Sequence, residues 1–235
     1  MRRFIYAIVT LTLAASSALC LQSCSGVDDA YNSIMTLLGF DMNDYESETI
    51  LSAVSEEDEV YSQIETIISM LIYDSVYIEP FENPRAAASG NGDAILNYML
   101  LTSYASYSGN SELLAAAEEE YPQYSITILI PASDFESRVY SSFGGDLSVK
   151  HTGTVHFIYL SKVEAYTTTG QAVSPPVTIT VTSAVETQNT YRVEFTLTEA
   201  GASDDGGDLA ASYKSLYMKR EDGTIYMKYL RDIED

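Results

Sequence analysis

The feature that most constrains this chain is an alternation of apolar and polar residues in its second half. Val177, Ile179 and Val181 alternate with Thr178, Thr180 and Thr182. Tyr191, Val193, Phe195 and Leu197 alternate with Arg192, Glu194, Thr196 and Thr198. Successive side chains of a strand point to opposite faces, so this spacing specifies half-buried strands and excludes an amphipathic helix. Gln188-Asn189 is placed to turn the first strand into the second, and Glu221-Asp222-Gly223 to join Ser212–Lys219 to Thr224–Leu230. Thr154–Tyr159 and Lys162–Thr167 read as further strands, the second pairing with the first or continuing it. Polar alternate positions predict an antiparallel sheet with one solvated face. The other face needs a cover.

The first half supplies one. Ala30, Ile34, Leu37 and Leu38 fall at helical spacing before Gly39. A second helical stretch is predicted over residues 48–71, broken near Glu56-Glu57-Asp58-Glu59. Asp93 is placed as an N-cap for a helix carrying Ile95, Leu96, Met99 and Leu100. Ser111 opens another with Leu113, Leu114 and Ala117, and Ser133 caps one carrying Phe135, Val139, Tyr140 and Phe143, ended by Gly144-Gly145. Tyr73–Ile78 and Ile126–Ile130 read as short strands between them. Helices first and strands second argue for an α+β fold, with N-terminal helices packed on one face of a C-terminal curved antiparallel sheet. The expected organisation is helix-rich over 34–145 and sheet over 146–235, one α+β domain spanning 34–235.

Residues 1–33 read differently. Arg2-Arg3 precede an apolar run from Phe4 to Leu21, and Leu21-Gln22-Ser23-Cys24 follows the order of a lipoprotein signal box. The expectation is a signal peptide over 1–23, diacylglycerol on Cys24 and a tether over 24–33. Each buried CH₂ adds about 0.8 kcal/mol of membrane affinity, and two acyl chains hold where one does not. The competing reading is an uncleaved span, which the run meets only at the lower edge of the required length and with Thr10, Thr12, Ser16 and Ser17 inside it. Cleavage would remove Cys20 and modify Cys24, leaving no thiol for a disulfide, a metal or a nucleophile. The expected location is the extracytoplasmic side of a bacterial membrane, with the lipid as the sole membrane attachment.

The chain carries 34 Asp and Glu against 12 Lys and Arg. Residues 24–130 hold 19 acids and a single base, Arg85, while residues 131–235 hold 15 acids and nine bases. Phosphate backbones need clustered Lys and Arg, so a nucleic-acid partner is excluded. Like-charge repulsion keeps such a chain soluble.

No motif specifies chemistry. His151 and His156 are five residues apart, which puts them on opposite faces of one strand and denies them a shared metal. There is no Gly-x-Ser-x-Gly elbow, Ser148-Val149-Lys150 falls one residue short of Ser-x-x-Lys, and Gly144-Gly145 lacks the Lys-Ser/Thr end of a phosphate loop. Asp204, Asp205 and Asp208, or Asp41, Asn43 and Glu46, offer oxygens for Ca²⁺, but neither set has EF-hand spacing, and both read as solvated loops. No catalytic residue, cofactor or metal is expected.

Asp93-Ala94-Ile95-Leu96-Asn97-Tyr98-Met99-Leu100-Leu101, then Ile130-Pro131-Ala132-Ser133-Asp134-Phe135, then Phe143-Gly144, followed by a Tyr-rich sheet, resemble a broad uncharacterised group of secreted or lipid-anchored α+β proteins from gut Firmicutes, over about residues 70–230. The same order is faintly similar to small secreted inhibitors of DL-endopeptidases, which plug the clefts of peptidoglycan hydrolases. The resemblance implies a non-enzymatic binding protein whose partner is a cell-wall enzyme or a wall component. The alternative is an envelope hydrolase with an unrecognised carboxylate site.

Overall fold

A computed structural model describes residues 45–82, 90–144, 149–168, 170–202 and 207–233. The chain from Glu48 to Asp235 forms one compact unit, preceded by a separate unit that ends in the 3-10 turn Tyr45–Ser47. The predicted helix at residues 30–38, the signal segment and Cys24 lie outside the described residues. No helix among the described residues is long and apolar enough to cross a membrane.

The fold is α+β. Among the described residues four helices, α1 (Glu59–Ser69), α2 (Gly92–Ser108), α3 (Ser111–Glu120) and α4 (Ala132–Phe143), accompany eight strands. The strands are β1 (Ser52–Ala53), β2 (Ile130–Pro131), β3 (Ile158–Leu160), β4 (Ala165–Thr167), β5 (Val177–Glu186), β6 (Thr190–Glu199), β7 (Leu209–Lys219) and β8 (Ile225–Asp232). They form a five-stranded antiparallel sheet in the order β1-β5-β6-β7-β8 and a small sheet in the order β2-β4-β3. The meander β5–β8 follows the alternation in the sequence, with Val193, Phe195 and Leu197 buried and Glu194 exposed. Thr182 of β5 and Lys228 of β8 have no opposite residue in the neighbouring strand; these bulges shift the register and reverse which parity of β5 and of β8 faces the core.

One face of the large sheet carries the core. Ile64, Ile67 and Ile68 of α1, Ile95, Leu96, Met99 and Leu100 of α2, and Phe135, Val139 and Phe143 of α4 join Phe195, Tyr213, Tyr217, Met227 and Leu230 in one buried cluster. A smaller cluster of Ala117, Ile126, Leu129, Leu160 and Ala165 joins α3 to the small sheet. The opposite face carries Thr196 and Ser212, whose hydroxyls pair at 3.0 Å across β6 and β7.

Of the strands expected over 154–159 and 162–167 only Ile158–Leu160 and Ala165–Thr167 form, and the N-cap of α4 is Pro131, with Ser133 inside the helix. Three further segments depart from the sequence expectation, each for a tertiary reason. Residues 48–55 are not helical. Leu51 N–H donates to Glu186 O at 2.8 Å and Val54 N–H to Ala184 O at 2.9 Å, so the chain lies on the edge of β5 and leaves Ile50 and Leu51 more than half exposed. The Glu48 carboxylate clamps its start, accepting from the Asn189 N–H at 3.2 Å and Nδ2 at 2.6 Å. Residues 73–78 are irregular, because a side chain satisfies their backbone. The Tyr213 hydroxyl accepts from Ile78 N–H at 2.9 Å and donates to Val76 O at 2.9 Å. In the run 126–130 only Ile130 enters a ladder. Gly144 ends α4 as expected: its φ is +93°, and a Cβ there would meet the Tyr226 ring at 2.8 Å.

Candidate functional site

The two histidines stand on different local structures. His156 stacks on Tyr73 with ring centroids 4.7 Å apart. Its loop is shaped by Asp93, which lies in the first turn of α2 and is not its N-cap; Asn91 takes that position. The Asp93 carboxylate accepts from the Thr154 hydroxyl, from Val155 N–H at 3.1 Å and from His156 N–H at 3.0 Å. It gathers the loop and leaves Val155 85% exposed at its tip.

His151 joins a chain of three polar groups. Its Nδ1 lies 2.9 Å from the Tyr166 hydroxyl and its Nε2 2.9 Å from Glu136 Oε1. The Tyr166 oxygen accepts from Thr152 N–H. In the tautomer with the imidazole proton on Nε2, the Tyr166 hydroxyl donates to Nδ1 and Nε2–H donates to Glu136. The ring stacks on Tyr159 at 5.2 Å, and Phe135 meets Tyr166 edge-on at 5.3 Å. A carboxylate, an imidazole and a hydroxyl in series is the order of a nucleophile triad. Here the hydroxyl is sealed: Tyr166 is 2% exposed, and burial pushes its ionisation up to about 12. No substrate reaches that oxygen, so the chain pins α4 to the small sheet.

Most of the other predicted positions carry no structural description. Asp41, Asn43, Asp204, Asp205, Ser148 and Gly145 lie outside the described residues, as does the side chain of Glu46. Asp208 accepts from Gly201 N–H at 3.0 Å, closing its own loop. Among the described residues no group of three His, Cys, Asp or Glu is placed to hold a metal.

A cleft of about 490 Å³ opens between α1, the C-terminal half of α4 and the β7–β8 turn. Ile67, Met70 and Ile225 give it an apolar floor, and Ser62, Gln63, Thr66, Ser141, Asp222 and Thr224 a polar rim. Its two cations differ in role. Arg220 is fully engaged: Nη2 donates to Tyr140 O at 2.9 Å, Nη1 to Ser141 O at 2.9 Å and to Ile225 O at 3.3 Å, and the guanidinium lies 4.8 Å from the Tyr226 ring. It closes the last carbonyls of α4, where a cation also suits the helix dipole. The Arg138 guanidinium lies 5.9 Å from the Tyr98 ring and within electrostatic reach of the Tyr107 hydroxyl, and forms no side-chain hydrogen bond or ion pair among the described residues.

Sequence reasoning missed this site because its parts come from three distant segments with no motif among them. One signal was available. After Arg3, Arg138 is preceded by only one other base, Arg85, in a run of acids, and such an isolated cation invites the question of what it faces. Comparison with family models, with curated proteins and with solved structures finds no match, so the chemistry of the cleft rests on its own residues.

Proposed function

We propose that this protein is a lipid-anchored extracytoplasmic binding protein of a bacterial envelope, holding a wall component or a cell-wall enzyme without transforming it. The observation that carries this reading is the cleft between α1, α4 and the β7–β8 turn. It presents donors and acceptors around an apolar floor, the usual composition of a ligand pocket. Neither Ser62 nor Ser141 there hydrogen-bonds to a base; their hydroxyls donate to the backbone carbonyls of Glu59 and Arg138. The hydroxyl that does meet an imidazole is shut inside the core. The Leu21-Gln22-Ser23-Cys24 box supports the anchor.

The test is affinity capture from envelope extract with the full-length chain in detergent. A second bait carries Thr66→Trp, which fills the cleft from an exposed position of α1. The expected result is a wall fragment or wall enzyme retained by the first bait and lost with the second. Equal retention by both, or turnover of the captured material, contradicts the reading.

A further inference from the structure

The reading of the cleft as a binding surface leaves its ligand unnamed. We propose that the cleft between α1, α4 and the β7–β8 turn takes a short zwitterionic peptide, its carboxylate on Arg138 and its ammonium toward Asp222. This rests on that reading and adds the ligand class.

Of the two cations on the cleft, Arg138 is the one whose guanidinium has no hydrogen-bond or ion-pair partner among the described residues; it lies over the Tyr98 ring and near the Tyr107 hydroxyl. Asp134, one turn earlier on α4, accepts the Tyr107 hydroxyl and forms no ion pair with it. Arg220, on the same cleft, has its guanidinium committed to backbone carbonyls and Thr224. A guanidinium offers a fork of parallel donors that matches a carboxylate. Gln63 adds a further donor. Its Oε1 accepts from Ile225 N–H at 3.3 Å, which fixes the amide orientation and leaves Nε2 for a ligand in the cleft it lines.

Asp222 selects against a plain anion. Its Oδ1 accepts from Thr224 N–H at 2.9 Å and from the Thr224 hydroxyl at 2.7 Å, so the carboxylate is held on the rim and stays ionised. The formal net charge of −22 repels free phosphate or sulfate at long range, while a ligand with both charges feels little net force. The volume of about 490 Å³ suits several residues of peptide, and Ile67, Met70 and Ile225 offer its side chains an apolar floor.

The test follows the methyl resonances of Ile67, Met70 and Ile225 in the full-length chain in detergent micelles. The probes are L-alanyl-L-alanine, its C-terminal amide, its N-acetyl form, inorganic phosphate and a neutral N-acetylglucosamine disaccharide. Saturable shifts with the free dipeptide are expected, with affinity about tenfold weaker for the amide. Arg138→Gln should show the same loss, and Arg138→Lys should recover part of it by restoring charge without the fork. Asp222→Asn should weaken the free dipeptide and leave its N-acetyl form unchanged. Equal binding of the amide, indifference to Arg138→Gln, or phosphate binding as tightly as the dipeptide overturns the proposal. Shifts with the disaccharide alone overturn it too and leave the binding cleft standing. No shift with any probe counts against both.

Discussion

Tyr213 and Tyr217 lie on the same strand and the same face, both with 1% or less of their surface exposed, yet the same substitution should have opposite consequences. The Tyr213 hydroxyl serves two backbone groups of the irregular segment, accepting from Ile78 N–H and donating to Val76 O, each at 2.9 Å. Tyr213→Phe keeps the ring and its stacking on Phe195 at 5.4 Å, so no cavity opens. It strands a buried donor and a buried acceptor. Each costs about 1–3 kcal/mol when left unpaired, so the expected loss is about 2–6 kcal/mol. The Tyr217 hydroxyl, by contrast, is buried and serves no backbone group; its polar neighbour is the Ser215 hydroxyl, which is itself turned to Val193 O. Removing it relieves a desolvation penalty, and Tyr217→Phe should be neutral or stabilising by about 1 kcal/mol. Urea unfolding followed by far-UV circular dichroism reads both. With a slope of about 2 kcal/mol per molar, Tyr213→Phe should lower the midpoint by about 1–3 M, while Tyr217→Phe should hold or raise it. Equal losses in the two variants would refute the reasoning, because they would show that the ring environment and not the hydroxyl pairing sets the cost.

Further outcomes follow from the same structure. Asp93→Ala removes the acceptor of three donors from the 154–156 loop, and should cost about 2 kcal/mol and speed amide exchange at Val155 and His156; unchanged protection there contradicts the assigned role. The ion pair with Lys219 at 2.7 Å, with the Ser52 hydroxyl, holds the Glu186 carboxyl below its ordinary range. Its stabilisation is therefore present at neutral pH and lost as pH falls below the usual glutamate range toward the folded value; Glu186→Gln should flatten that part of the stability–pH curve, and an unchanged acid limb counts against the pair. Arg220→Ala frees the last carbonyls of α4 and should raise amide exchange at Tyr140–Gly144 while leaving β5 and β6 protected.

The large sheet was legible in the sequence because a strand with one solvated face writes its burial as alternation, as Val193, Glu194 and Phe195 do. The helices α2 and α4 were legible through apolar stripes of period near 3.6, and Gly144 marked where α4 stops. Residues 48–55 misled because Ile50, Leu51 and Val54 fit a helical face, while the decisive partners, Ala184, Glu186 and Asn189, lie far along the chain. The 73–78 segment was illegible for the same reason: its alternation suggested a strand, but a tyrosine side chain from β7 takes the backbone bonds a neighbouring strand would have taken. The cleft left still less trace, since Gln63, Arg138 and Asp222 become neighbours only once α1, α4 and the β7–β8 turn have packed.

The proposed place of this protein at the envelope rests on the state of one sulfur. Intact-mass measurement of the native chain, purified from membranes in detergent, tests that directly. The account predicts a polypeptide beginning at Cys24 with the added mass of a diacylglycerol. An unmodified chain that retains Met1–Ser23 and is recovered from the cytosol would contradict it.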